Sequence, residues 1–259
     1  MGPRPDPPAG ASTARRGVRY APRMAAGLVV PFFRGPTRLD RAARALFARG
    51  LADDPFVHGL RRTPAPFRVN VGRVLAAALL AHAEERRLAF VEGWRANVIE
   101  RRHGRAARIV TGSWMSALIL RLLARRGLVP AGVRALRVSQ SRCTYDEARA
   151  AAALRADGEL VGVSGTACPS APRLARYLRS FAPARALTPR AALARAGRID
   201  PRVLAVVRAT ELGPADATAA LALEGAAWVT HLVSELESRL VAPPRALEQR
   251  LAQRLRLDR

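Results

Sequence analysis

Between Arg105 and Arg179, short apolar runs alternate with longer stretches whose apolar positions fall at helical spacing. Ala106 to Val110 reads as a strand, Thr111-Gly112-Ser113 as a polar loop, and Trp114 to Ala124 as a helix. After a Gly-Leu-Val-Pro turn the pattern repeats, with a strand from Val133 to Val138, a loop from Ser139 to Cys143 and a helix from Thr144 to Arg155. A third round follows, as the strand Glu159 to Val163, the loop Ser164 to Ala171 and the helix Pro172 to Phe181. Strands alternating with helices of this length predict a parallel sheet with ligand sites at the strand ends. The expected fold is α/β, a Rossmann-like three-layer sandwich with a mostly parallel sheet and a helical C-terminal extension.

Upstream, Leu28 to Phe33 has the continuous apolar character of a buried first strand. Leu39, Ala42, Ala43, Leu46, Phe47 and Leu51 then mark one face of an amphipathic helix, with arginines off that stripe. Asp53 to Phe67, interrupted by Pro55, Pro64 and Pro66, predicts a surface loop. Val69 to Phe90 reads as one Ala- and Leu-rich helix. Downstream, Thr188 to Gly197 and Asp200 to Ala209 read as short helices, the second with Asp200 as N-cap and Pro201 at its first position. Pro214 to Leu240 is helical in pattern and is expected to pack on the sheet or to serve as a dimer face. A terminal helix carries Leu247, Leu251 and Leu255. These readings divide the chain into an Arg/Pro-rich arm (1–23) expected to be disordered, a Rossmann-like domain (24–210) and a helical extension (211–259). Met24 offers a second start point for natural translation.

Composition changes the picture in one respect. The 259 residues hold 44 basic side chains against 20 acidic ones, a formal charge of +24, and every basic residue except the four histidines is Arg. Such a surplus suits nucleic acid or an anionic surface, bound without sequence preference. Nine arginines and the single acid Asp200 lie between Arg173 and Arg208. The absence of Lys points to a GC-rich coding bias as well. Two cysteines, Cys143 and Cys168, are too few for a disulfide scaffold, and a reduced, cytoplasmic setting is expected. No apolar run reaches transmembrane length. His58, His82, His103 and His231 sit at no zinc spacing, and neither a Walker loop nor GxGxxG is present.

Candidate chemistry falls in the three loops. Thr111, Gly112 and Ser113 precede a helix whose first N–H groups have no partner, a ready anion seat. Ser139, Ser141 and Thr144 form the second loop; Thr144 and Glu147 have the spacing of a capping box. Ser164 opens the third loop, and Arg173, in the first turn of the next helix, offers a bidentate guanidinium to an anion.

The order of these motifs resembles the core of the bacterial YdcF/SanA/ElyC family, the domain of unknown function numbered 218, over roughly residues 105–190. Thr111-Gly112-Ser113 corresponds to its glycine-containing loop, Gly127-Leu128-Val129-Pro130 to its turn, and Thr144-Tyr145-Asp146-Glu147-Ala148 to the motif that opens the next helix. Val163-Ser164 and Pro172-Arg173 match the flanks of its third motif. The family's histidine there has no counterpart, with Cys168 or Ser170 nearest its place. Its asparagine is replaced within Asp146-Glu147, and its first glycine-rich loop is reduced to Pro31-Phe32-Phe33-Arg34-Gly35. The resemblance implies a Rossmann-like fold, a link to envelope biology, and a small anionic or nucleotide-like ligand such as S-adenosylmethionine. The alternatives are an Arg-rich module for nucleic acid or an anionic surface, and a non-catalytic family member acting as an interaction protein.

Overall fold

The computed structural model describes residues 27–32, 53–63, 65–91, 98–99, 109–110, 112–138, 141, 144–155, 157–164, 170–197 and 200–211. The strands are β1 (Gly27–Pro31), β2 (Arg87–Phe90), β3 (Val98–Ile99), β4 (Ile109–Val110), β5 (Ala135–Arg137), β6 (Glu159–Val163) and β7 (Ala184–Leu187). The helices are α1 (Asp53–Arg61), α2 (Ala65–Ala83), α3 (Gly112–Arg125), α4 (Thr144–Leu154), α5 (Ser170–Arg179), α6 (Pro189–Ala196) and α7 (Pro201–Thr210).

Five strands form one all-parallel sheet in the order β5-β2-β1-β6-β7, with Leu28 opposite both Arg87 and Leu160. The central strands β2, β1 and β6 are buried on both faces because both are covered, as parallel sheets require. On one face Val29, Leu88, Phe90, Val161 and Val163 pack in a core with α1, α2, α3, α6 and α7. On the other, Leu28, Val30, Ala89 and Leu160 meet Ala148 and Ala151 of α4 and Leu174 and Leu178 of α5. Tyr145 closes that second layer, its ring edge-on to Tyr177 and Phe181 at centroid distances of 6.0 and 5.0 Å. The architecture is a Rossmann-like α/β sandwich.

Helix α2 lies at the centre of the first layer, and every residue from Val69 to Ala78 is buried. Each large side chain there, such as Leu75 or Leu80, contributes about 1.5–3 kcal/mol by leaving water. Gly72 lets α7 come close: a Cβ on it would stand 2.3 Å from Thr210 Oγ1. Helices α6 and α7 start as their sequences predict. The Thr188 side chain accepts from Ala191 N at 3.2 Å and that of Asp200 from Arg202 N at 2.8 Å, each followed by a proline.

Three sequence expectations are corrected, and one strand is added. The Val69–Phe90 helix ends at Ala83, and Arg87–Phe90 is a central strand. Glu85 turns the chain with φ 53°, while Arg86 N donates to the Ala81 carbonyl at 2.8 Å, a Schellman closure in which a glutamate fills the usual glycine position. Asp53–Phe67 is not a plain loop, because Pro55 and Pro66 fall in the first turns of α1 and α2, where a missing N–H costs nothing. Ile109–Val110 does not join the parallel sheet but pairs antiparallel with Val98–Ile99 as a separate ribbon. Ala184–Leu187, with no assignment in the sequence reading, is an edge strand. The helix expected from Leu39 to Leu51, the 1–23 arm and the C-terminal extension lie outside the described residues. Among the described helices none is long and apolar enough to cross a membrane.

Candidate functional site

Strand order decides where a ligand site can form. The chain lays down β1, then β2 and β5 to one side, and then returns to place β6 and β7 on the other side of β1. The order therefore reverses between β1 and β6, and in doubly wound sheets ligands bind outside the strands' carboxyl ends at such a point. Phe32 and Ser164 stand at that point, Phe32 N donating to the Val163 carbonyl and Ser164 N to the Leu187 carbonyl, both at 2.9 Å.

Buried polar side chains gather at this end of the sheet. The described residues include ten buried polar or charged ones, and eight of them (Asn70, Arg73, Ser113, Ser116, Ser141, Asp146, Glu147 and Ser164) sit on α2, on the first turns of α3 and α4, or on strand exits at the carboxyl edge. Polar groups are expensive to bury, so such clustering marks a place where the fold has kept hydrogen-bonding capacity. Arg73 is 4% exposed, and its Nη1 donates to the Phe32 carbonyl at 2.6 Å, which fixes the backbone where it leaves β1. Ser141 Oγ donates to the Val91 carbonyl at 2.7 Å and ties the loop after β5 to the exit of β2.

The sequence-predicted residues divide accordingly. Gly112 and Ser113 open α3, which enters from the carboxyl side of β2 and runs back to feed β5; its first turn carries no acid and Ser113 and Ser116 are fully buried. Its leading N–H groups have no acceptor within the helix. Ser141 and Ser164 also lie at strand exits on this edge. Thr144 and Glu147 open α4, where Asp146 and Glu147 are buried and Asp146 accepts from exposed Arg149 at 3.1 Å. These carboxylates already satisfy the positive end of α4, so that turn suits a hydroxyl or amino group rather than an anion. Thr111 and Ser139 lie outside the described residues; Arg173 is on α5, with its side chain outside them too.

Sequence reasoning missed Asn70, Arg73 and Ser116. The signal available for Arg73 was a cation inside a helix that is apolar all round, since a helix without a polar face is buried on every side.

At the opposite, amino edge the polar chemistry is an ion-pair cluster. Glu84 accepts from Arg86 at 2.7 Å and from Arg195, and Glu159 from Arg185, from Arg195 at 3.1 Å and from Arg86 at 3.4 Å. Burial raises the Glu159 carboxyl, but hydrogen bonds and charge from Arg185 and Arg195 outweigh it and hold the group below its ordinary value of 4.5. Among the described residues no group of His, Cys, Asp and Glu could hold a metal ion.

Fold and strand order define a doubly wound, Rossmann-like domain with buried polar side chains at its switch point. No family model matches the chain, and no curated protein or solved structure matches it.

Proposed function

We propose that this domain binds a small anionic, nucleotide-like ligand across the carboxyl edge of its sheet. One observation carries the reading: buried polar side chains concentrate where the strand order reverses, in a fold that elsewhere buries apolar ones. The anionic end would lie against the acid-free first turn of α3, with Ser113 and Ser164, and Arg173 from α5 is the candidate clamp. Glu147 would accept from hydroxyl or amino groups at the other end. Ser164 follows β6 and Ser141 is held at the exit of β2, two strand spacings away or roughly 10 Å at the usual interstrand distance, a span that favours an extended ligand over a single ion. The reading keeps the ligand class and envelope link implied by the YdcF-like motifs and commits to no reaction.

The nucleic-acid alternative is weaker on a specific ground. Of the nine arginines between Arg173 and Arg208, Arg185, Arg190, Arg195 and Arg202 each pair with a carboxylate.

Calorimetric titration of nucleotides and S-adenosylmethionine against wild type, Ser113→Val, Ser164→Val and Arg173→Ala tests the proposal. At least one ligand should bind wild type and lose tenfold or more in each variant, while duplex DNA association stays unchanged. Loss confined to DNA, or ligand binding indifferent to all three substitutions, would sink it.

A further inference from the structure

We infer that the outer edge of β5 takes an acidic, extended segment of a partner protein as a further strand of the sheet. Among the described residues β5 pairs with β2 alone, and it ends the row of five strands. Phe90 stands opposite Arg137, and Val138 N donates to the Phe90 carbonyl at 2.8 Å. In a parallel ladder that register turns the N–H and C=O of Leu136 towards β2 and those of Ala135 and Arg137 outwards. Main-chain donors and acceptors at strand spacing are what a sheet edge offers to an extended peptide.

The side chains select the peptide. Leu136 is 41% exposed, one of two large apolar side chains so exposed among the described residues, and Arg134 and Arg137 beside it are exposed too. Successive side chains alternate between faces, so Leu136 shares the face of Ala89, its neighbour on β2, and Arg137 that of Phe90. An added strand would set an apolar residue beside Leu136 and acids beside Arg134 and Arg137, because directly opposed pairs stabilise neighbouring strands. The local charge favours the same partner: from Arg101 to Tyr145 the chain carries ten arginines and no acid. Charge on an edge strand deters pairing with its own kind, and a second copy of the chain would set these arginines against themselves. An acidic segment meets no such barrier. At the opposite edge Arg185 of β7 is engaged by Glu159, so the two edges differ. Nucleic acid would answer the arginines but neither the strand-spaced amides nor Leu136.

Titrating the full chain with labelled eight-residue peptides that repeat Glu-Thr-Val or Glu-Val-Thr, one for each strand direction, tests this assignment. At least one should bind. Replacing its Glu by Gln should weaken it tenfold or more, and so should methylating every second backbone nitrogen in one of the two possible sets. Methylation removes amide donors with charge unchanged, so it separates strand pairing from simple attraction. The double variant Arg134→Ser, Arg137→Ser should lose tenfold or more, whereas Arg61→Ser, Arg62→Ser, which takes the same charge from the exposed end of α1, should lose less than threefold. Ala135→Pro deletes an outward N–H and should weaken the peptide likewise; should it unfold the chain, the methylated peptides make the same test. No binding at millimolar concentration, indifference to methylation, or equal loss in the two double variants would each overturn the assignment. Duplex DNA binding that falls as steeply in Arg134→Ser, Arg137→Ser would give the arginines to nucleic acid, and a wild-type dimer that Ala135→Pro dissolves would give the edge to a second copy; either also overturns it.

Discussion

Arg73→Met removes a cation from the middle of a buried helix, and intuition about buried charge would make the change harmless or favourable. The geometry argues the reverse. Its Nη1 lies 2.6 Å from the Phe32 carbonyl, and both residues are at most 4% exposed, so water cannot replace the lost donor. A hydrogen bond from a charged group is worth about 1.5–3 kcal/mol, and an orphaned buried carbonyl costs about 1–3 kcal/mol. The two figures overlap in what they count, and burial of the Met stem returns part, so the net loss should be about 2–4 kcal/mol. In a domain of this size each kcal/mol moves Tm by about 2–4 °C, giving a fall of roughly 4–16 °C. Arg149→Met is the control: its partner Asp146 is buried but its own side chain is half exposed, and such pairs are worth about 0–1 kcal/mol. Urea unfolding of the three proteins, with ligand titration alongside, measures both effects. A loss below about 1 kcal/mol for Arg73→Met, or one equal to the control, would refute the view that this guanidinium fixes the exit of β1.

Two further outcomes can be measured on the same preparations. Glu85→Gly should raise stability by about 1 kcal/mol, because a left-handed residue with a side chain carries about that penalty, and an unchanged or lower Tm would contradict the φ of 53°. Glu159→Gln should be less stable than wild type at neutral pH. Because the folded carboxyl is held below 4.5, its contribution is present above that value and fades as pH falls through the lower folded one. The gap between the two urea midpoints should therefore close towards pH 3, and a gap constant from pH 7 to 3 would remove Glu159 from the pH dependence.

What was legible in the sequence depended on where glycine announced a turn. After α3, Gly127 takes φ 65° and Leu128 N donates to the Leu123 carbonyl at 3.0 Å, so the Gly-Leu-Val-Pro stop read true and placed β5. After α2 the same closure is made by Glu85, and without glycine the helix pattern ran on through Arg87–Phe90. Losing that strand hid the switch point, since β2 is the neighbour that sets the order around β1. The segment before Thr111 failed differently: Ile109–Val110 has strand character, but its partner is Val98–Ile99, and pairing is not written in an apolar run alone. At Ala184–Leu187 the edge position explains the silence, because a half-buried strand needs neither β-branched nor continuous apolar residues. Loop serines at strand exits were readable from small polar composition. Arg73 and Asn70 were readable only through the lack of a polar face on α2, which makes any polar side chain inside it a buried one.

The positive surplus bears on how an anion would be recognised. With 44 basic against 20 acidic side chains, acids are the scarce partner, and two at the amino edge are shared. Glu159 serves Arg86, Arg185 and Arg195, and Glu84 serves Arg86 and Arg195, which joins the starts of β2, β6 and β7 to the ends of α2 and α6. Cations bound in this way fasten the amino edge and have little field left for a distant ligand. An anion drawn only by net charge would settle indifferently over the remaining exposed arginines and be lost with salt. Selectivity at the carboxyl edge would have to come instead from groups that need no net charge, the leading N–H groups of α3 and the buried hydroxyls of Ser113, Ser116 and Ser164. Such donors are fixed by the helix and by the strand exits, so they discriminate by geometry. The +24 charge can then raise the rate of encounter without deciding what stays bound.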